Sequence, residues 1–476
     1  MAVALAALAL AACGPPDEGA LSVSVIGDVP ALRDPNQRPP SLSEGVLLSA
    51  TAQGLLAFDA AGTVEPGLAR RWIVTDDGLS ILFRIDEDAR WHDGKPVTAH
   101  QVARRLRATV GRASRNGLKP LLGVVTRIQS TTDEVLELRL AAPRANLLPL
   151  FAQPELAMLR DGQGSGPYRV SERTDGNLTL ERELAPVEDE EPRREHVQLR
   201  GEGAALALAR FRRGRTDLVL GGTLGDLPYA RAAALPGPTL RFDPAAGLFG
   251  LIPTGADGPL RDAAVRDALS MALDRNAIVA ALDVPGLAPR TTVLPATAGA
   301  VAGVPAWSVL PLDARRRDAA RILATAVEGG APVPVRVAMP DGPGYRLLFA
   351  LLDRDWRAIG VQASRVPADA RADLRLVDEV APSPALAWYL EPFSCPAAPI
   401  CVPEIDAALG RSRVELDPVA RRGQQAEAAS RIAAEALFIP LAAPVRWSAV
   451  GPRVTGFRAN PQARHSLLHL RDEERR

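Results

Sequence analysis

Residues 68–103 read LARRWIVTDDGLSILFRIDEDARWHDGKPVTAHQVA and determine more local structure than any other stretch of the chain. The apolar segments Trp72–Val74 and Leu79–Ile85 predict two strands, joined by an Asp-Gly turn in which glycine can adopt positive φ. A second Asp-Gly turn leads to Thr98, a favourable N-cap for a helix over residues 99–110. The stretch therefore predicts two strands, two turns and a capped helix.

The order of these residues resembles the signature of the family 5 extracellular solute-binding proteins, the oligopeptide, dipeptide and nickel receptors of ABC importers. Two positions depart from it, since Asp86 stands where arginine is usual and Gln101 where aspartate is usual. The resemblance implies an α/β protein with a two-lobed periplasmic-binding-protein-like fold (type II, cluster C, with an extra domain). The positions that fit are Leu68, Ala69, Trp72, Asp77, Gly78, Phe83, Ile85, Trp91, Asp93, Gly94, Pro96, Val97, Thr98, Ala99 and Val102.

A chain of 476 residues exceeds the roughly 250–300 at which one core usually divides, so several domains are expected. The resemblance implies a discontinuous domain I made of residues 20–46, 164–245 and 450–476. Domain II, the extra domain of the same lobe, would comprise residues 47–163. Domain III, the second lobe, would comprise residues 246–449.

The composition is that of a globular protein, with 47% hydrophobic and 24% charged residues. The 56 basic and 56 acidic residues give a formal net charge of zero. No overall electrostatic argument therefore points to nucleic acid or to an acidic membrane surface.

An apolar run, MAVALAALALAA, occupies residues 1–12 and ends at Cys13. It is shorter than the ~20 residues of a permanent membrane span and suits the apolar region of a signal peptide. Residues 10–13 (LAAC) resemble a bacterial lipobox, which implies a diacylated Cys13 at the mature N-terminus. We therefore expect residues 1–19 to form a lipoprotein signal peptide and tether. The protein would be lipid-anchored at the periplasmic face of a bacterial membrane or at the cell surface.

Two further stretches resemble elements of the family. Residues 47–58 resemble a helix of its members, and residues 164–170 (GSGPYRV) resemble the crossover where the chain re-enters its first domain. Two glycines and Pro167 are expected to give this crossover unusual dihedral angles. A phosphate-binding loop is disfavoured, because Pro167 lacks an N–H and no Lys-Ser/Thr pair follows.

Residues 258–279 form a third match, with apolar residues at helical spacing that predict a buried stripe. Arg266 and Arg275 lie in this segment and invite interpretation as ligand-binding residues. Ion pairing on the helix surface, as between Asp262 and Arg266 at four-residue spacing, is the favoured alternative.

Residues 374–391 resemble the segment that lines the ligand cleft in the family. Asp378 aligns with the acidic residue that pairs with the α-ammonium of the peptide in peptide-binding members, and Trp388 and Tyr389 are further candidate ligand-binding residues. Glu379 stands where tyrosine is usual. For Asp378, an exposed carboxylate at a strand end is an equally good interpretation.

Cys395 and Cys401 are the only cysteines besides Cys13. In an oxidising compartment, two cysteines this close in sequence predict a disulfide. Zinc binding is the alternative, but no nearby histidine completes a site. No metal or other cofactor is predicted.

The predicted function is that of a monomeric receptor that captures a small solute, most simply a short peptide, between two lobes. It would deliver this ligand to an ABC permease and its ATPase subunits. An enzyme is disfavoured, because the sequence lacks the G-x-S-x-G, H-E-x-x-H and P-loop motifs. A lipoprotein of the same fold that serves signalling or envelope scaffolding is the second hypothesis. It is favoured by the low aromatic content of 4%.

Overall fold

The structure, a computed structural model, describes residues 19–174, 176–184, 193–255, 258–296, 302–326, 332–395 and 397–471. The predicted signal peptide, with Cys13, lies outside these residues. Across the described ranges, no helix is both long enough and apolar enough to cross a membrane.

The described chain contains both strands and helices. The strands are β1 Leu21–Ile26, β2 Leu56–Phe58, β3 Val64–Pro66, β4 Ala69–Val74, β5 Ser80–Ile85, β6 Val125–Ser130, β7 Val135–Leu140, β8 Arg169–Thr174, β9 Asn177–Leu184, β10 Arg193–Glu202, β11 Leu218–Thr223, β12 Leu240–Phe242, β13 Gly247–Pro253, β14 Val333–Met339, β15 Val361–Pro367, β16 Leu374–Val380, β17 Ile439–Ala442 and β18 Arg446–Val450. The helices are α1 Leu42–Thr51, α2 Ala99–Val110, α3 Ala204–Arg212, α4 Leu227–Ala232, α5 Ala263–Met271, α6 Arg275–Leu282, α7 Leu312–Ala326, α8 Pro343–Arg357, α9 Leu386–Leu390, α10 Pro403–Val414 and α11 Pro418–Ala434.

Two large mixed sheets organise the described chain. The first has seven strands in the order β12-β18-β11-β1-β10-β9-β8, and the second has five in the order β15-β14-β16-β13-β17. Strand β1 pairs in parallel with β10 and β11, and β14 pairs in parallel with β15 and β16. The chain passes between the sheets twice, from β12 to β13 and from β17 to β18. Two adjacent connections of this kind suit a hinge.

Residues 68–103 supply β4, β5 and the start of α2 to a separate antiparallel sheet of order β4-β5-β7-β6, which α2 covers. The predicted strands and the predicted helix over 99–110 are confirmed, and Thr98 caps the helix. The contacts of Gln101 give a physical reason for a glutamine at this position, where aspartate is usual in the family. Its Oε1 accepts a hydrogen bond from the Thr98 backbone N–H at 3.1 Å and another from Trp91 Nε1 at 2.8 Å. The glutamine thus completes a capping box and fixes a buried tryptophan.

The predicted helix over residues 47–58 is wrong in its bounds. Helix α1 begins earlier, where Ser41 and Glu44 form a capping box, and it ends at Thr51. Gly54 then passes so close to the Phe151 carbonyl that a Cβ would lie 2.2 Å from its oxygen. The chain must leave the helix before this contact, and it continues as β2.

The interpretation of Arg266 and Arg275 as residues in surface ion pairs is also wrong, because both side chains are buried. Arg266 donates hydrogen bonds to the carbonyls of Leu260 and Glu435, and Arg275 donates to the Pro440 carbonyl at 2.8 Å. Each guanidinium therefore satisfies backbone acceptors at the ends of neighbouring elements, which offsets the cost of burying a charge.

The glycines of the crossover at residues 164–170 serve close packing. Gly164 and Gly166 do not have positive φ. A Cβ at Gly164 would lie 1.7 Å from the Thr51 carbonyl oxygen, and one at Gly166 would lie 2.5 Å from that of Ala50. The expected unusual dihedral angles are therefore not the reason for these glycines. They allow the crossover to lie against the end of α1.

We predict that Gly164→Ala destabilises the protein by about 3 kcal/mol, because the added methyl group collides with a backbone oxygen that cannot move alone. Gly410→Ala is the matched control, since a Cβ there meets open space within α10. That change should stabilise by about 0.5–1 kcal/mol. Urea unfolding followed by circular dichroism measures both. Equal midpoints for Gly164→Ala and the unaltered protein would contradict the packing argument.

Candidate ligand-binding cleft

A cavity of about 700 Å³ is walled by both large sheets. The first sheet contributes residues 221–223 and 446–448, and the second contributes residues 378–380. Gln153 and Glu155 close it from the side of the small antiparallel sheet. Small-molecule sites commonly measure about 300–1,000 Å³ and lie between domains, so the cavity has the size and position of a ligand site.

Asp378 and Arg446 form an ion pair across the cavity wall. Asp378 is on β16 in the second sheet, and Arg446 begins β18 in the first. Arg446 Nη1 donates to Asp378 Oδ1 at 2.7 Å, and Nη2 donates to the backbone carbonyl of Asp378 at 2.8 Å. The Asp378 side chain is 7% exposed. The interpretation of Asp378 as an exposed carboxylate is therefore wrong.

Tyr345 supports the same carboxylate from helix α8. Its hydroxyl donates to Asp378 Oδ2 at 2.7 Å. Burial, followed by the Asp378 charge, raises the pKa of Tyr345 above its usual value, so the hydroxyl remains a donor at neutral pH. Each Asp378 side-chain oxygen thus accepts one bond within the protein. A carboxylate offers about four acceptor sites, so two are left for a ligand.

Asp226 and Glu379 are carboxylates of the wall without a basic partner among the described residues. Burial raises the pKa of both side chains, and the neighbouring Asp378 charge adds to the effect at Glu379. Glu379 is exposed at the cavity wall, and the nearby Arg446 charge partly offsets the rise in its pKa. Asp226 accepts a hydrogen bond from Thr223 Oγ1 at 3.0 Å.

Two further charge pairs lie in the wall near the C-terminus. His465 Nε2 lies 3.1 Å from Asp243 Oδ2, and both side chains are buried. Arg464 donates to Glu155 Oε1 at 3.0 Å and so connects the C-terminal segment to the small-sheet side. These pairs stabilise the part of the wall that the C-terminal segment forms.

Direct contacts close the cleft between the small-sheet side and the second large sheet. Gln153 Nε2 donates to the Pro382 carbonyl at 2.7 Å. Arg144 Nη2 donates to the carbonyl of Ser412 at 3.0 Å and also to that of Arg413, both in the last turn of α10. The C-terminal carbonyls of a helix are free to accept such bonds and attract a cation. The described arrangement is therefore a closed one.

Trp388 and Tyr389 have different environments, although they are adjacent in sequence. Trp388 lines the cavity. Tyr389 does not: it is 1% exposed and packs in a core where the Arg290 guanidinium lies 6.0 Å from its ring centre. Of the three candidate ligand-binding residues, the structure brings Asp378 and Trp388 to the cavity.

Cys395 and Cys401 are joined by a disulfide just before α10. The Cys395 backbone N–H donates to Asp406 Oδ1 at 2.8 Å, in the first turn of this helix. The crosslinked loop is thereby held on the helix whose other end receives Arg144. Among the described residues, no group of three histidine, cysteine or carboxylate side chains could hold a metal ion.

Sequence reasoning did not single out Arg446, the partner of Asp378. Lysine is nearly absent from this chain, and arginine is so frequent that one more carries no signal. The Asp243–His465 pair joins residues 222 positions apart and has no local motif either. Glu379 did carry a signal, because it replaces the usual tyrosine.

Comparison with known proteins gives a consistent result. The family model "Bacterial extracellular solute-binding proteins, family 5 Middle" matches residues 63–383. The periplasmic oligopeptide-binding protein OppA of Haemophilus influenzae is 25% identical over 334 residues, which are 61% of this chain and 61% of that protein. The probable di/tripeptide-binding protein 5 of Pseudomonas aeruginosa is 24% identical over 479 residues, which are 87% of this chain and 89% of that protein.

A solved structure shows the fold. The crystal structure of Haemophilus influenzae OppA in complex with RPPGFSPFR superposes with a TM-score of 0.82 at 18% identity. The alignment covers 94% of this chain and 98% of that one. The predicted α/β fold of the periplasmic-binding-protein type, with two lobes, is confirmed.

We predict that Asp378→Asn destabilises the protein by about 2–4 kcal/mol, because it leaves the Arg446 guanidinium in the wall without its carboxylate. The matched control is Glu427→Gln, which breaks a pair with Arg411 at 2.7 Å in which both side chains are about half exposed. Its cost should stay within about 0.5 kcal/mol. Chemical denaturation measures both. Equal losses in the two variants would show that the Asp378 pair contributes no more than a surface pair.

Proposed function

The chain belongs to the family 5 bacterial extracellular solute-binding proteins, and we propose that it is the receptor of an ABC importer that captures a short peptide. The observation that carries this proposal is the cavity of about 700 Å³, whose wall combines residues of both large sheets. A ligand held there contacts both lobes only when they are closed. It therefore stabilises the closed state, which is the physical basis of capture by hinge closure.

The peptide is favoured as ligand by two relatives, one called an oligopeptide-binding protein and the other a probable di/tripeptide-binding protein. Asp378 takes part through its remaining acceptor sites, as one member of its pair with Arg446. Trp388 offers an aromatic face beside these charges. An amphipathic wall of this kind suits a ligand with both charged ends and an apolar body.

We propose the same division of the chain as in the sequence analysis, with one refinement. Domain I comprises residues 20–46, 164–245 and the C-terminal segment, domain II residues 47–163, and domain III the insertion that begins at 246. The return to domain I is placed between β17 and β18, before residue 446, because β18 pairs with β11 and β12.

The cellular setting is also part of the proposal. Cys13 would carry the lipid that holds the receptor at the periplasmic face of a bacterial membrane or at the cell surface. The receptor would act as a monomer that delivers its ligand to the permease and ATPase subunits of the importer. It would use no cofactor or metal and would catalyse no reaction, in keeping with a family of binding proteins.

We predict that Trp388→Ala weakens binding of the captured peptide by about tenfold, because the change removes an aromatic contact in the cavity wall. Tyr389→Phe is the matched control, since the neighbouring ring lies in the core and outside the cavity. Its affinity should stay within about twofold of the unaltered protein. Isothermal titration calorimetry with tripeptides gives both values. An unchanged affinity in Trp388→Ala, or equal losses in the two variants, would contradict the placement of the ligand.

A further inference from the structure

Unpartnered hydrogen-bond acceptors accumulate in the wall of the cavity. Gln153 Oε1, Glu155 Oε2 and Gln462 Oε1 are buried and have no hydrogen-bond partner. Gln153 as a whole is 1% exposed, and its amide nitrogen is already bonded to the Pro382 carbonyl. Among the described cavity residues, every buried side-chain polar atom left without a partner is an oxygen of this kind. Buried acceptors without donors cost free energy, and these oxygens lie beneath the cavity surface, out of direct contact with its open space.

The charges of the wall show the same imbalance. Two carboxylates, Asp226 and Glu379, remain unpaired after each basic group has been matched with an acid. The five carboxylates of the wall are Glu155, Asp226, Asp243, Asp378 and Glu379, and the three basic groups are Arg446, Arg464 and His465. A positively charged ligand would compensate the excess.

The two unpaired carboxylates come from different lobes. Asp226 follows β11 of the first sheet, and Glu379 is on β16 of the second, opposite Leu248 of β13. A cation in this cavity is attracted by carboxylates of both lobes only when the hinge is closed. The same charge therefore contributes to affinity and to closure.

We infer that the cleft selects a cationic solute, and that Asp226 and Glu379 bind its positive group. This inference rests on the proposed receptor function and specifies the class of its ligand. For a peptide receptor, the predicted ligands carry a lysine or arginine side chain in addition to their α-ammonium. An ammonium or guanidinium group can donate several bonds to carboxylate oxygens such as those of Asp226 and Glu379.

The test is calorimetric titration of the full chain with Ala-Lys-Ala, Ala-Ala-Ala, Ala-Glu-Ala and putrescine. We expect Ala-Lys-Ala to bind about tenfold more tightly than Ala-Ala-Ala, and Ala-Glu-Ala to bind most weakly. Glu379→Gln should abolish the preference for lysine, so that Ala-Lys-Ala binds no more tightly than Ala-Ala-Ala, and far-UV circular dichroism shows that the variant is folded. Glu172→Gln is the matched control, because this exposed carboxylate lies on β8 outside the cavity.

The outcomes separate the two proposals. Equal affinities for the three tripeptides, or an equal loss for all three in Glu379→Gln, would overturn the cationic preference and leave the peptide receptor intact. Binding of putrescine alone, lost in Glu379→Gln, would support the cationic preference and overturn the peptide as ligand. Binding of no probe would overturn both.

Discussion

The pair between Asp378 and Arg446 joins the two halves of the molecule at the place where a ligand has to lie. One partner belongs to each large sheet, and the guanidinium reaches both the carboxylate and the backbone carbonyl of Asp378. Such a bidentate arrangement tolerates little displacement, because both bonds depend on the same planar group. The pair therefore constrains the position of β16 relative to β18, in addition to the constraint from the two connections between the sheets.

The remaining wall of the cavity carries acidic groups whose charge the Asp378–Arg446 pair does not compensate. The hydrophobic core continues beneath the wall, where Phe249, Leu441 and Trp447 of the two sheets belong to one buried cluster. Above it, carboxylates line the cavity, and burial raises the pKa of Asp226 and Glu379. Carboxylates without a basic partner in the wall are destabilising, which is a usual cost of binding sites. In this account, ligand binding relieves the cost and closes the lobes in one step.

The sequence predicted the fold better than the site, for physical reasons that particular residues illustrate. Local signals were sufficient for β4, β5 and α2, because turn glycines and the Thr98 cap act within a few residues. The bounds of α1 depended on Gly54 and its distant contact with Phe151, which no local pattern records. The spacing of Arg266 and Arg275 suggested surface positions. Both side chains are instead buried and donate hydrogen bonds to carbonyls that are distant in sequence. In the site, Asp378 was found by resemblance, whereas Arg446, 68 residues later, becomes its partner only through the fold.

The central claim is that this protein traps a solute between its lobes. The most direct measurement is mass spectrometry of small molecules released by denaturing protein that was purified from its native envelope. We expect a series of short peptides, released in amounts comparable to that of the protein. An empty cleft, with no thermal shift on adding peptide pools, would contradict the claim and favour a signalling or scaffolding role for the same fold.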